Sequence, residues 1–265
     1  MREDSHTSDH TGVYLAQLRS PSGEAYQDTL AEELPLALMV QGEAYAVFMR
    51  TPGADRELIY GFLLTERLIE DLDDIQALVP CHSYPQQRIH LALESGVRLP
   101  IRSRRSFISS SCGLCSLERL DFGTDAPSLS TDERWLKREL TQTQLASYFK
   151  LFNERPSLFS LTGGAHVAIL FHPSGDLRYA QADVGRHNAV DKVVGAAALQ
   201  GDPELWGWIM MVSSRAGFEV ITKAAAAGVG ALITLGAASG AAHRYAQASG
   251  LPLYSFTRPH RAHRH

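Results

Sequence analysis

Two cysteines separated by two residues, Cys112 and Cys115, are the side chains in this sequence best suited to covalent chemistry. A Cys-x-x-Cys pair brings two sulfur atoms within reach of one metal ion, one disulfide bond or one transferred atom. Gly113 allows the backbone to turn tightly between them. Three basic residues lie a few positions upstream: Arg102, Arg104 and Arg105. If they fold near the pair, they favour the thiolate, which is the form that takes sulfur from a persulfide.

Zinc binding and redox chemistry are two other interpretations of this pair. A structural zinc ion normally has four protein ligands, and the sequence has no second Cys-x-x-Cys, although Cys81 and His82 could complete a set. A thioredoxin-like pair would open a helix after a strand, whereas the serine-rich segment around Cys112 is predicted to be a mobile loop. Both alternatives stay open. Cys81 by itself is interpreted as a small buried hydrophobic residue without an activated thiol.

Catalytic zinc of the deaminase type does not fit the sequence. That chemistry needs His-x-Glu for metal binding and proton transfer, followed by Pro-Cys-x-x-Cys. No histidine here is followed two positions later by glutamate, and Ser111 rather than proline precedes Cys112. We therefore expect no tightly bound catalytic metal.

Three clusters of anion-binding side chains each follow a predicted strand. They comprise Gly185, Arg186 and His187 in the first cluster, Arg215 in the second, and Phe256, Thr257, Arg258, Pro259, His260 and Arg261 in the third. Helix starts behind the first two add a partial positive charge. Each cluster alone could be a capped helix start or a solvated charge. Because ligands of open α/β sheets bind at the carboxyl ends of strands, we predict an extended phosphorylated ligand along this edge.

The first half of the chain predicts an α+β region. Strands are expected at Leu36–Val40 and Tyr45–Met49, and a helix capped by Asp55 is expected to follow. Ile89–Leu93 and Val97–Ile101 flank Glu-Ser-Gly and predict a hairpin.

The second half alternates between strand and helix patterns. Strands are predicted at His166–Phe171, Trp208–Val212, Ala231–Leu235 and Leu253–Phe256, and helices around Leu145–Phe152, Asn188–Leu199, Ala216–Ala227 and Ala241–Ala248. This alternation predicts an α/β layer with a largely parallel sheet. We divide the chain into a disordered tail (1–30), an N-terminal α+β region (31–107), a mobile loop and linker with the cysteine pair (108–140) and a C-terminal domain (141–265).

The composition of the chain limits the locations and partners that we expect for the protein. The 265 residues are 45% hydrophobic and carry a net charge of −4, so a nucleic-acid partner is not expected. Three cysteines are too few for a secreted disulfide framework, and the polar N-terminus lacks an apolar signal core. The uncharged run Ala224–Ala242 is mostly alanine and glycine, which is too weakly apolar for a membrane span. We expect a cytoplasmic protein without a membrane segment.

Longer motifs resemble the FdhD family of formate dehydrogenase accessory sulfurtransferases. They are SCGLC at 111–115, TGGAH at 162–166, ADVGRHNAVDKVVG at 182–195 and SSRAGFEVITKAA at 213–225, together with the opening segment from Glu33. The similarity extends from Glu33 to Arg261, almost the whole chain.

This resemblance implies a fold, a reaction and partners. The fold would be an α/β/α core like cytidine deaminase in the C-terminal half, without its zinc chemistry. The protein would be a homodimer that takes sulfur from a cysteine desulfurase and passes it to Mo-bis(molybdopterin guanine dinucleotide) for formate dehydrogenase. Cys112 would carry the persulfide, and Cys115 would assist. Phe256 to Arg261 would match the family's cofactor-binding segment, for which GDP would serve as an analogue. A cofactor-binding protein without covalent sulfur transfer remains the alternative.

Overall fold

The computed structural model describes residues 12–100, the backbone of 106–108, and residues 136–265. Within these ranges the strands form three sheets, of two, five and six strands. The predicted mixed α/β class is confirmed.

A β-hairpin opens the described chain, where the sequence analysis placed a disordered tail. Strand β1 (Val13–Arg19) pairs antiparallel with β2 (Ala25–Ala31). The expectation of a tail over residues 1–30 is therefore wrong from Val13 onward. The signal was present, because both segments contain apolar and aromatic residues that meet in cross-strand pairs such as Tyr14 with Leu30 and Leu18 with Tyr26.

The five-stranded sheet has the order β5-β6-β3-β4-β7. Its strands are β3 (Leu34–Val40), β4 (Glu43–Arg50), β5 (Ile75–Pro80), β6 (Arg88–Leu93) and β7 (Ser106–Ile108). A short 3₁₀ turn, Leu72–Asp74, leads into β5. Helix α1 (Asp55–Thr65) packs on this sheet and buries the predicted residues Leu58, Ile59, Phe62 and Leu63. Strands β3 and β4 and helix α1 confirm the predictions.

Two local predictions in this half are wrong. Val97 to Pro100 form no strand, because β6 already pairs with β5 on one side and β3 on the other, which leaves no free edge for a hairpin partner. Asp55 does not cap α1. The cap residue is Ala54, and the Asp55 carboxylate instead accepts two hydrogen bonds of 2.8 Å from the buried Arg50 guanidinium.

The six-stranded sheet has the order β13-β12-β11-β10-β8-β9. Its strands are β8 (His166–Phe171), β9 (Leu177–Asp183), β10 (Ile209–Val212), β11 (Ala231–Thr234), β12 (Leu253–Arg258) and β13 (Arg261–Arg264). Only the pairings β10–β11 and β11–β12 are parallel among those described. The central strands β10, β11 and β12 are parallel, as predicted for the core of the sheet, whereas β8 and β13 run in the opposite direction.

Helices cover both faces of this sheet. Helix α2 (Gln142–Glu154) packs on one face, followed by the short α3 (Leu158–Thr162). The other face is covered by α4 (Arg186–Leu199), α5 (Phe218–Ala226) and α6 (Gly240–Ser249). Alternation along β8 sends Ala168 and Leu170 to one core and Ile169 to the other.

The two halves join where α1 crosses α4 at two glycines. A Cβ atom on Gly61 would lie 1.7 Å from the Asp191 carbonyl oxygen, and one on Gly195 would lie 2.0 Å from the Glu57 carbonyl oxygen. The helices can approach this closely only without side chains at these positions. This contact places the end of α1 beside the start of α4.

Candidate functional site

The predicted catalytic pair, Cys112 and Cys115, lies outside the described residues, as do the upstream arginines at 102, 104 and 105. Their roles therefore remain predictions. The remaining predicted site residues are all described. Each lies in a strand of the six-stranded sheet or within a few residues of a strand end.

The three anion-binding clusters lie at one edge of that sheet, as predicted. Strand β8 runs antiparallel to both β9 and β10, and β10, β11 and β12 are parallel, so β9, β10 and β12 all point the same way. In the strand order β9-β8-β10-β11-β12, the strands that carry neighbouring clusters are two positions apart. Neighbouring clusters are therefore separated by about 10 Å. The edge is therefore long enough for an extended ligand.

The first cluster is built on a buried carboxylate at the end of β9. Asp183 is fully buried and pairs with Lys192 at 2.7 Å. Its two carboxylate oxygens accept hydrogen bonds from the Gly185 N–H (2.8 Å), the Asn188 amide (2.9 Å) and the Thr51 N–H (3.1 Å). Burial raises the pKa of Asp183, and the Lys192 ammonium and these donors oppose that rise. The turn that begins α4 is thereby fixed in shape.

Arg186 and His187 differ in exposure although they are neighbours. The Arg186 side chain is 21% exposed and reaches toward α5, where its Nη2 lies 3.7 Å from Glu219 Oε2. His187 is only 1% exposed, and neither ring nitrogen has a hydrogen-bond partner in the described part of the chain. Burial, and then the charges of Lys223 and Arg186, lower the pKa of His187 to about 3. Its imidazole is therefore neutral at neutral pH.

The second cluster follows β10 and includes a histidine that the sequence analysis did not select. Ser213 Oγ accepts a hydrogen bond from the Val167 N–H (3.0 Å) and lies 3.4 Å from His166 Nδ1. Burial and the Arg186 charge lower the pKa of His166. Arg215 is exposed, and its backbone packs on Gly236, where a Cβ atom would lie 2.9 Å away. The signal for His166 was its place in the TGGAH motif.

The third cluster is a β-hairpin rather than a loop. Strand β12 continues past the predicted end at Phe256 to Arg258, then turns at Pro259 and His260 into β13. A bulge between Ser255 and Arg258 accommodates Phe256, whose φ is 51°. The strand is therefore irregular at Phe256, the residue where it was predicted to end.

Five of the six predicted residues of this hairpin face solvent. They are Phe256, Arg258, Pro259, His260 and Arg261. Thr257 is fully buried, with a hydroxyl that has no partner in the described residues. Arg258 Nη1 donates to the Leu235 carbonyl at 2.9 Å, and Arg261 Nη2 lies 2.9 Å from His263 Nε2. An aromatic ring and two guanidinium groups are thus presented on one exposed turn.

A buried ionic network lies where α1, α4 and α5 meet. Lys223 contacts Glu66 (2.8 Å), Asp191 (2.9 Å) and the Thr65 hydroxyl (3.0 Å). Thr65 in turn donates to Asp191 at 2.6 Å. Burial raises the pKa of Asp191 to about 6 against the opposing Lys223 charge. For Lys223, burial alone would lower the pKa, but the two carboxylates outweigh it and raise it.

Cys81 differs from its expected role as a buried hydrophobic residue. It is half-buried, and its backbone N–H donates to the Arg88 carbonyl at 2.9 Å at the end of the β5–β6 pair. A hydrogen bond from His90, followed by the Tyr84 and Ser83 backbone N–H groups, lowers the pKa of its thiol. Cys81 is thus less buried than predicted, and the pKa of its thiol is lower than that of an ordinary cysteine.

Residues 12–100 and 136–265 contain no group of three or more His, Cys, Asp or Glu side chains placed to hold one metal ion. Among the described helices, none has the length and apolar character needed to cross a bilayer.

Comparisons with known proteins agree on one family. The model of the FdhD/NarQ family matches residues 31–264. A protein of Streptomyces avermitilis named sulfur carrier protein FdhD is 36% identical, with 92% of this chain and 89% of that protein covered. One of the same name from Saccharolobus solfataricus is 35% identical, with 91% of each chain covered. A crystal structure from Desulfotalea psychrophila, described as that of a formate dehydrogenase accessory protein, is 22% identical, covers 95% of each chain and superposes with a TM-score of 0.70, which supports the fold.

Proposed function

The chain belongs to the FdhD/NarQ family, and from that premise we propose that it is a sulfur carrier for the maturation of formate dehydrogenase. In this proposal it takes sulfur from a cysteine desulfurase and delivers it to Mo-bis(molybdopterin guanine dinucleotide). The observation that carries the proposal is the match over almost the whole chain to relatives named for sulfur carriage. The cytidine deaminase-like core, the homodimer and the cytoplasmic location belong to the same proposal.

The sulfur step is a thiol–persulfide exchange at Cys112. Its thiolate attacks the terminal sulfur of the donor persulfide, a new S–S bond forms, and the donor leaves as a thiolate. Cys115 then assists release of the sulfur to the cofactor. Arginines upstream would favour this reaction by stabilising the attacking thiolate.

Cofactor binding is assigned to the edge of the six-stranded sheet. The exposed hairpin offers Phe256 for stacking against a base and Arg258 and Arg261 for phosphate oxygens. Gly185, Arg186, His187 and Arg215 provide further donors along the same edge. The spacing of these groups over about 19 Å suits a long ligand with several phosphates.

A non-covalent alternative has one specific observation in its favour. The described strands by themselves bring the three predicted anion-binding clusters to one edge of the sheet. A protein that only holds the cofactor for formate dehydrogenase would need this edge but not the cysteines.

A complementation assay separates the two functions. Formate dehydrogenase activity is measured in cells whose own carrier gene is deleted and replaced by the wild type, Cys112→Ser or Cys81→Ser. Sulfur transfer predicts loss of activity with Cys112→Ser and activity close to wild type with the matched Cys81→Ser variant. Full activity with Cys112→Ser would reject the covalent step and leave the binding function.

A further inference from the structure

Two histidines from different elements meet beside the β12–β13 hairpin. His243 lies in the first turn of α6, and His265 directly follows β13. Their Nδ1 atoms are 3.2 Å apart, and the ring centroids are 5.2 Å apart with an angle of 64° between the ring planes. Both side chains are half-buried, so the pair is partly open to solvent. The contact therefore brings two imidazole nitrogens together at a place that a small ion can reach.

Backbone and side-chain contacts hold each histidine of this pair in place. The His243 N–H donates to the Ser239 carbonyl at 2.9 Å, within a helix start that the Ser239 hydroxyl caps. The His265 N–H donates to the Leu253 carbonyl at 2.9 Å, and His265 Nε2 lies 2.8 Å from the hydroxyl of the buried Ser255. When Nε2 carries the proton and donates to Ser255, Nδ1 keeps its lone pair. A metal-binding histidine is usually held in the same way, by a second contact at its other ring nitrogen.

The distance between the two nitrogens fits one bound metal ion. Zinc–imidazole bonds are about 2.0–2.1 Å long, so two nitrogens at tetrahedral positions on one ion are about 3.3–3.4 Å apart. The Nδ1 atoms of His243 and His265 are close to that separation at 3.2 Å. A single proton, shared as an N–H···N hydrogen bond, also fits between them. The two occupants differ in one measurable respect, because added metal displaces the proton only if the pair is a metal site.

The sequence around His265 is of a metal-binding type. His260, His263 and His265 occur within six residues, and short histidine-rich tracts are typical of metal binding. The structure gives the three histidines different surroundings. His260 is exposed at the turn, and His263 Nε2 lies 2.9 Å from Arg261 Nη2. His265 is the member of this tract whose ring nitrogen meets a histidine of another element.

We propose that His243 and His265 form a binding site for a divalent transition-metal ion that prefers imidazole ligands, with Zn²⁺ as the representative. The pair supplies two ligands, in agreement with the lack of a three-ligand group in residues 12–100 and 136–265, and water completes the coordination. Arg244 and Arg264, next to the pair in sequence, repel a cation, so the site should be weaker than a four-ligand zinc site. A bound ion would join α6 to the end of β13. The site does not depend on the proposed sulfur transfer.

Zinc titration of the full chain tests this pair. The three cysteines are replaced by serine so that thiolates do not compete for the metal, and the parent protein so obtained is labelled with ¹⁵N in histidine. ZnCl₂ is added at constant pH, and the ring signals are assigned with single His→Gln variants. We expect saturable shifts of the His243 and His265 ring signals. The melting temperature should rise with zinc concentration, because the ion binds the folded state.

Single variants identify the ligands. His243→Gln and His265→Gln should each weaken zinc binding about tenfold or more, since the loss of a mere supporting contact at a metal site typically costs about 10–100-fold. His260→Gln, the matched control on the exposed turn, should bind like the parent protein. Melting curves without zinc verify that each variant folds.

A flexible histidine-rich tract gives the opposite pattern. It would lose affinity with His260→Gln and would be indifferent to His243→Gln, which lies in α6. Equal affinities in His243→Gln and His260→Gln, or His243 and His265 ring signals that do not respond to zinc in the parent protein, would overturn the proposal.

Discussion

At the β9 end of the sheet edge, Asp183, Asn188 and Lys192 are buried and Asp183 bonds to the other two, whereas most polar side chains of the β12–β13 hairpin face solvent. Asp183 is held by Lys192, Asn188 and two backbone N–H groups, one of them from Thr51 in the other half of the chain. Within the described residues, Arg258 donates to the carbonyl oxygens of Leu235 and Thr257, and Arg261 contacts His263. One end is fixed by the fold, and the other is free to meet a ligand.

Because of this difference, we expect the β9 end to contribute to folding stability and the hairpin to contribute to ligand binding. A buried charge that loses its partner is strongly destabilising, whereas an exposed guanidinium is already solvated and can exchange water for phosphate. Substitutions at the first end should therefore act on folding, and substitutions at the second end should act on affinity.

The largest expected effect is that of Asp183→Asn on stability. The substitution leaves Lys192 buried without its carboxylate and places an amide where carboxylate oxygens accept hydrogen bonds. We expect a loss of about 3–5 kcal/mol in the free energy of unfolding, measured by urea denaturation. Arg261→Ala, the exposed control, should change it by about 0.5 kcal/mol or less. Equal stabilities would show that the two ends do not differ as described.

The next effect concerns GDP affinity at the hairpin. Arg258→Ala and Arg261→Ala each remove a donor to phosphate, which typically weakens binding about tenfold or more. Isothermal calorimetry on the wild type and both variants measures this, and unchanged melting temperatures would verify the fold. If all three proteins bind GDP equally, the nucleotide lies elsewhere, and the turn at Gly185 becomes the next candidate.

A smaller effect is expected at Cys81, a half-buried thiol beside His90. Because His90 lowers the pKa of the thiol, the thiolate forms at lower pH than in an ordinary cysteine. Alkylation by iodoacetamide should therefore have a pH midpoint below the usual thiol range, and His90→Gln should raise that midpoint. The measurement uses a Cys112→Ser, Cys115→Ser background so that only Cys81 reacts. An identical midpoint in both proteins would contradict the Cys81–His90 contact.

The sequence predicted the ligand edge because strand ends and helix starts are local features. The bounds of strand β8 and helices α2 and α4 were predicted to within about three residues. The three clusters share one edge although the sheet is mixed, because β9, β10 and β12 run in the same direction, while ligand binding at that edge stays a prediction.

Contacts between residues distant in sequence could not be predicted. The bonds from Thr51 to Asp183 and from Thr65 to Asp191 join positions 132 and 126 residues apart. The lowered pKa of the Cys81 thiol depends on the pairing of β5 with β6. The sequence did not predict this pairing, because β5 was not found. The burial of the His187 ring likewise could not be predicted, because it arises only when α1, α4 and α5 pack together.

Sulfur loading of Cys112 tests the central claim most directly. The protein is incubated with a cysteine desulfurase and cysteine, digested, and examined by mass spectrometry without reductant. The account predicts that the peptide containing Cys112 gains the mass of one sulfur atom, and that the gain disappears in Cys112→Ser but persists in Cys81→Ser. A wild-type protein that acquires no sulfur at Cys112, or that acquires it equally at Cys81, would contradict the account.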